Sequence, residues 1–158
     1  MKKAAPVKII SGGQTGVDTA ALDFALEAGI EHGGWVPKGR TNEAGTIPSR
    51  YGILAETPTA DVRDRTQRNI DASDATLVFV DGRDSPGTQY TVDRAKAVGK
   101  PVLVVDVSGG EAAARRRISD WLGSVEVQTL NIAGPRASEA PDLARKVIAI
   151  LRLSLGQT

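Results

Sequence analysis

The sequence predicts an α/β fold: an open, mostly parallel, doubly wound sheet flanked by helices. Two observations predict it. Short β-branched runs alternate with longer stretches of helical periodicity, the order that right-handed crossovers turn into a parallel sheet. Two of those runs, "ATLVFVD" (75–81) and "PVLVVDV" (101–107), are continuously apolar, as strands covered on both faces are.

The elements follow in order. "VKIIS" (7–11) reads as a buried strand, and "VDTAALDFALEAG" (17–29) as a helix with Val17, Ala20, Ala21, Phe24 and Ala28 at helical spacing. Gly29 ends it where a left-handed cap is common. "GGWVP" (33–37) reads as a short strand and "DVRDRTQRNIDAS" (61–73) as a mostly polar helix. After the apolar strand at 75–81 comes "TQYTVDRAKAVGK" (88–100), a helix with Val92, Ala95 and Val98 on one side and Gly99 at its end. The strand at 101–107 leads to a helix, "GEAAARRRISDWLG" (110–123), then a strand, "VEVQTLNIAG" (125–134). "SEAPDLARKVIAILRLSL" (138–155) is the last helix, with Leu143, Val147, Ile150 and Leu151 inward and Ser138 as its expected cap. The segment 37–60 reads as weakly structured and too long for an ordinary connection; such loops are functional or disordered. Its Lys38, Arg40, Glu43, Arg50 and Tyr51 favour function, with the segment as a lid.

The 158 residues form one expected domain, 1–158, without internal repeat or linker. Twenty Lys and Arg against 19 Asp and Glu give a net charge of +1, which argues against nucleic acid as the main partner. With no cysteine and a single histidine, His32, disulfides, thiol catalysis and a protein-ligated metal are not expected. The opening "MKKAAPVKIISGG" is too short and broken an apolar run for a signal peptide, and no stretch reaches the roughly 20 apolar residues of a spanning helix. The expected location is the cytoplasm.

Ligands of open parallel sheets bind at the carboxyl ends of the strands. Five segments that follow the expected strands, "SGGQTG", "VPKGRTN", "DGRDSPGTQ", "DVSGG" and "NIAGPRAS", are rich in Gly, Ser and Thr. "SGGQTGVD" (11–18) places free amides and a helix start at one point, which suits an anion. It is not the nucleotide triphosphatase loop, since Val17 and Asp18 follow Gly16 where that loop needs Lys and Ser or Thr. Its glycine spacing does not fit the dinucleotide fingerprint either. Asp18 is read as a helix cap in preference to a partner for a ligand hydroxyl. "DSPGTQYT" (84–91) repeats the logic, with the Gly87 amide and the Thr88 hydroxyl, Thr88 also reading as an N-cap. In "GPRAS" (134–138), Arg136 is either an anion clamp or solvated. Trp35 and Trp121 read as core or shielding residues, "RRR" (115–117) as a solvated face, and His32 has no assigned role.

"ISGGQTGVDTAAL", "GGWVPKGRTNEAGTIPSRY", "NIDASDATLVFV", "SPGTQYTVDRA" and "LNIAGPRAS" occur in that order. Together they resemble the "putative molybdenum carrier" family, a branch of the SLOG superfamily that joins the DprA proteins and the LOG-type nucleotide hydrolases. The resemblance runs from about Val7 to the last helix. It implies a three-layer Rossmann-like fold that binds a nucleotide or a phosphorylated pterin at the carboxyl edge of the sheet. The ligand-contacting positions it implies are Gly12, Gly13, Gln14, Thr15, Gly16, Lys38, Arg40, Gly87, Thr88 and Arg136. The carrier name implies molybdenum cofactor as the bound ligand and molybdoenzymes as partners. That cofactor's own sulfurs hold its metal, so a carrier without cysteine is chemically reasonable. The fold further implies a homo-oligomer.

The alternative is a LOG-type nucleotide phosphoribohydrolase. Its signature resembles "PGGxGTxxE", and here the glutamate's place is taken by Thr91. A threonine supplies no carboxylate to stabilise a positive sugar, so the reading leans away from an enzyme; Asp84 and Glu43 are the carboxylates that could substitute from another direction. A DprA-like DNA-binding protein is the third reading, opposed by the charge balance.

Overall fold

The computed structural model describes residues 6–52 and 54–156. The lysine pair of the opening segment lies outside the described residues. Five strands form one parallel sheet in the order β2-β1-β9-β7-β8. They are β1 (Lys8–Ile10), β2 (Glu31–Gly33), β7 (Ala75–Val80), β8 (Val102–Asp106) and β9 (Thr129–Ala133). The expected sheet is therefore present. The sequence did not reveal that β9, the last strand, sits between β1 and β7, paired with Ile10 through Asn131 and with Leu77 through Ile132.

Helices α1 (Val17–Ala28), α4 (Glu111–Ser124) and α5 (Leu143–Leu155) pack on one face; α2 (Val62–Ala72) and α3 (Pro86–Ala97) pack beside each other on the other. The main core joins Phe24 of α1, Ile118 of α4 and Val147, Ile150 and Leu151 of α5 to Ile9, Leu77, Phe79 and Ile132 of the sheet, all buried. α1 ends as expected, Gly29 taking the left-handed conformation with its N–H on the carbonyls of Ala25 and Leu26. Trp121 packs against this core, and Trp35 lies under the Arg68 guanidinium, 5.0 Å from the ring centre.

Several expectations need correction. The strand expected at 125–134 is confined to 129–133, the β-branched run before it being interrupted by charge. The last helix begins at Leu143 with Asp142 at its N-cap, because Ser138 is engaged elsewhere. "GGWVP" contributes to two sheets: Gly33 closes β2, while β3 (Trp35–Val36) pairs with β6 (Ala55–Glu56).

The segment 37–60 has more structure than expected. It holds a hairpin of β4 (Thr41–Asn42) and β5 (Gly45–Thr46), a 3₁₀ turn at Ser49–Tyr51, and β6. A second small core, Leu22, Val36, Ile47, Tyr51 and Leu54, fastens it to α1. Arg50 and Tyr51, read as functional, anchor it instead: the Tyr51 hydroxyl donates to Asp23 at 2.8 Å and accepts from Arg50 at 2.7 Å. Its carbonyl meets His32 Nε2 at 2.8 Å.

Candidate functional site

The carboxyl ends of β1 and β9, the start of α3 and the inner face of α2 enclose a pocket of about 350 Å³. That is within the usual size range for small-molecule sites. Three of the five glycine-rich segments reach it, through Gly12 and Gln14, through Ser85 to Thr88, and through Ala133, Gly134 and Arg136. "VPKGRTN" and "DVSGG" do not line it; the latter follows the edge strand β8.

The first loop is closed on itself. Asp18 does not cap its own helix, whose N-cap is Gly16 with no side-chain bond. Its buried carboxylate turns back into the loop and accepts from the Gln14 amide at 3.2 Å. Burial pushes its pKa up to about 6, against the lowering pull of Arg65 and of the Gln14 and Gly12 amides. The Thr15 amide is taken by Gln14 Oε1 at 3.0 Å and the Val17 amide by the Pro135 carbonyl at 3.3 Å. The amides of Gly12, Gln14, Thr15 and Val17 thus already serve internal acceptors, one of them a carboxylate.

The glycines of this loop have separate reasons. At Gly16, with φ +83°, a Cβ would lie 2.5 Å from the Pro135 carbonyl oxygen, so this residue lets the 134–137 turn approach. At Gly13, with φ +74°, a Cβ would meet Val36 and Ile47. Gly13 therefore faces the second core and not the pocket, and replacing it by valine would test packing before it tested a ligand.

The start of α3 is different. Ser85 is its N-cap residue but makes no side-chain bond to the helix backbone amides. Its hydroxyl lies 2.7 Å from the Thr88 hydroxyl and donates to Glu139 at 3.1 Å. Thr88 is in the first turn, not the cap as the sequence suggested. Pro86 has no N–H, so the amides of Gly87 and Thr88 carry the positive end of the helix dipole to the pocket wall.

Thr15, Lys38, Arg40 and Arg136 were expected to meet a ligand. Lys38 and Arg40 do not line the pocket; Arg40 is a left-handed residue (φ 56°) in the turn before β4. The Thr15 hydroxyl donates to Glu43 and accepts from the Ala137 amide. Glu43 also accepts from the Ser138 amide at 3.0 Å and the Ser138 hydroxyl at 2.6 Å, and lies 3.7 Å from Arg136 Nε. These bonds, led by that of the Ser138 hydroxyl, hold its pKa below the usual range. Glu43 pairs with Arg136, a residue far from it in the sequence, and not with the nearby Lys38 or Arg40. Arg136 does line the pocket, but its guanidinium is shared between Glu43 and Glu139, both at 3.7 Å.

Helix α2 supplies what the sequence reading missed. Arg65 donates to the Gly12 carbonyl at 2.6 Å and bears on Asp18. Val62, Arg63 and Thr66 form the outer wall, facing Tyr90 of α3. A sequence signal existed: the arginines of "VRDRTQRNI" fall on a helix that follows a functional-looking loop. Thr91 also lines the pocket, its hydroxyl donating to the Gly87 carbonyl at 3.2 Å. The carboxylates that line it are Asp18 and Glu139, while neither Asp84 nor Glu43 does. Among the described residues no group of three or more His, Asp or Glu could hold a metal, and no helix is long and apolar enough to cross a membrane.

The family model described as "Circularly permutated YpsA SLOG family" matches residues 9–155. No curated protein matches the chain. Among solved structures, the chain is similar to a crystal structure described as a putative molybdenum carrier protein from Syntrophus aciditrophicus SB. The two are 43% identical, the match covers 98% of each chain, and the TM-score is 0.94.

Proposed function

The chain belongs to the circularly permuted YpsA SLOG family, and on that premise we propose that it holds a phosphorylated small molecule, as a carrier, at the carboxyl edge of its sheet. The observation that carries this reading is the pocket of about 350 Å³ with the uncapped first turn of α3 opening on it. A phosphate there meets the Gly87 and Thr88 amides and the Thr88 hydroxyl, and each helix-end contact contributes about 0.3–2 kcal/mol. The similar structure described as a putative molybdenum carrier protein supports a molybdenum-bearing cargo, here taken as molybdenum cofactor, with a nucleotide as the alternative. The cargo's metal needs no protein ligand, because the cofactor's sulfurs hold it. In this reading the protein works in the cytoplasm, as a homo-oligomer, and passes cargo to molybdoenzymes.

Native mass spectrometry of freshly purified protein tests the proposal. A retained phosphorylated molecule is expected. Protein that retains nothing and binds neither nucleoside monophosphates nor a pterin phosphate would overturn it. One observation favours a second reading, the phosphoribohydrolase: Glu139 brings to the pocket a carboxylate that Thr91 cannot supply. Release of free base from a nucleoside monophosphate, lost in Glu139→Gln, would establish that reading in place of a carrier.

A further inference from the structure

The pocket has two unlike sides. One is polar, made of the glycine-rich turns and the start of α3. The other, between α2 and α3, carries Val62, Pro86, the Tyr90 ring and the Arg63 guanidinium. Val62 is 50% exposed, an apolar side chain left open to solvent in the first turn of a mostly polar helix. The Tyr90 ring is fixed, because Gln67 Nε2 donates to its hydroxyl at 2.6 Å. Arg63 lies over that ring, 5.3 Å from its centre.

The three arginines of the pocket differ in what already holds them. Arg65 is bonded to the Gly12 carbonyl, and Arg136 is shared by two carboxylates. The Arg63 side chain, among the described residues, pairs with no carboxylate and lies over the Tyr90 ring. A guanidinium stacked on an oriented aromatic ring, beside an open valine and a proline, is a surface for a flat, electron-rich ring.

We propose that Arg63, Tyr90 and Val62 form a subsite for the planar heterocycle of a phosphorylated ligand, with Gln67 as the residue that positions Tyr90. This rests on the reading that the polar side takes the phosphate. The ligand class is then a heterocycle joined to a phosphate, and not a sugar phosphate or an inorganic oxyanion. Nucleotides and pterin phosphates share that chemistry.

Isothermal titration at fixed salt tests it, with adenosine and guanosine monophosphates, a pterin phosphate, ribose 5-phosphate and adenosine as probes. At least one heterocyclic phosphate is expected to bind about ten-fold or more tightly than ribose 5-phosphate, the range that stacking of one base gives. Which one binds separates a nucleotide from a pterin source. Tyr90→Leu should remove that advantage and leave ribose 5-phosphate unchanged, whereas Tyr90→Phe, which keeps the ring, should retain most of it. Arg63→Ala, on an exposed first turn, should lower the ratio of heterocyclic phosphate to ribose 5-phosphate affinity in the same way should the leucine variant fail to fold, its lost charge weakening both probes alike. Equal binding of ribose 5-phosphate and the heterocyclic phosphates would overturn the subsite while leaving the phosphate reading intact. Equal binding of adenosine and its monophosphate, with no binding of ribose 5-phosphate, would do the reverse. Binding of no probe would overturn both.

Discussion

Replacing Asp18 by asparagine should flatten the pH dependence of stability between pH 5 and pH 7. Its carboxyl sits in the glycine-rich loop with a pKa pushed up from 3.8 to about 6, mainly by burial. A carboxyl raised on folding stabilises the protein fully below the unfolded value, and that stability is lost as pH rises through the folded value. Over the full span this amounts to about 3 kcal/mol. Between pH 7 and pH 5 alone, the wild type should gain about 1.4 kcal/mol from this group. For a chain of 158 residues that is about 3–6 °C in melting temperature. The carboxamide of the Asp18→Asn variant keeps an acceptor for the Gln14 amide but cannot titrate, so the variant should lack this gain. Glu27, Glu43, Asp64 and Asp106 are all shifted the other way, by hydrogen bonds that favour the carboxylate. What stability they contribute is lost only as pH falls through still lower values, outside the window. Thermal melts of the two proteins at pH 5, 6 and 7 make the comparison, and parallel profiles would refute a buried carboxylate that fills the loop.

Two further outcomes are expected. Gly16→Ala places a Cβ 2.5 Å from the Pro135 carbonyl oxygen at φ +83°, whereas Gly29→Ala at φ +69° meets open space. The first should cost about 2–4 kcal/mol and the second about 1–2 kcal/mol in urea unfolding, so equal costs would disprove the close approach. Arg136→Ala should weaken nucleoside monophosphate binding less than ten-fold, because Arg136 acts by neutralising Glu43 and Glu139. Adding Glu139→Gln, the one of the two that lines the pocket, should restore most of that loss; a double variant as weak as the single one would make Arg136 a direct clamp.

The layers of the fold were legible because helices and strands bury apolar residues with different periods. Phe24, Val147 and Ile150, singled out by spacing, are buried in the main core, and the runs at 75–81 and 101–107 became β7 and β8. Strand order was not legible. Local pattern says that a run is a strand, but the neighbours of β9 depend on how four crossovers pack against one another. The segment 37–60 misled for a related reason. Its short strands carry little periodicity, and what orders it is the burial of Ile47, Tyr51 and Leu54 against Leu22 of a distant helix.

The site was legible where backbone geometry makes it and illegible where charge balance does. Glycine positions report turns directly, and three of the five expected turns do meet at one pocket. Arginines report only that a charge exists. Arg136 looked available because its sequence neighbours are uncharged up to Glu139, yet Glu43, brought across by the β4–β5 hairpin, also lies beside it. Arg63 gave only the signal of a polar helix that follows a functional-looking loop, yet its side chain ends over Tyr90 at the pocket wall, paired with no carboxylate among the described residues. The anion-binding value of an arginine depends on the carboxylates already within about 4 Å of it. Those partners come from other elements, so the residue to test first is the unpaired cation on the least conspicuous helix.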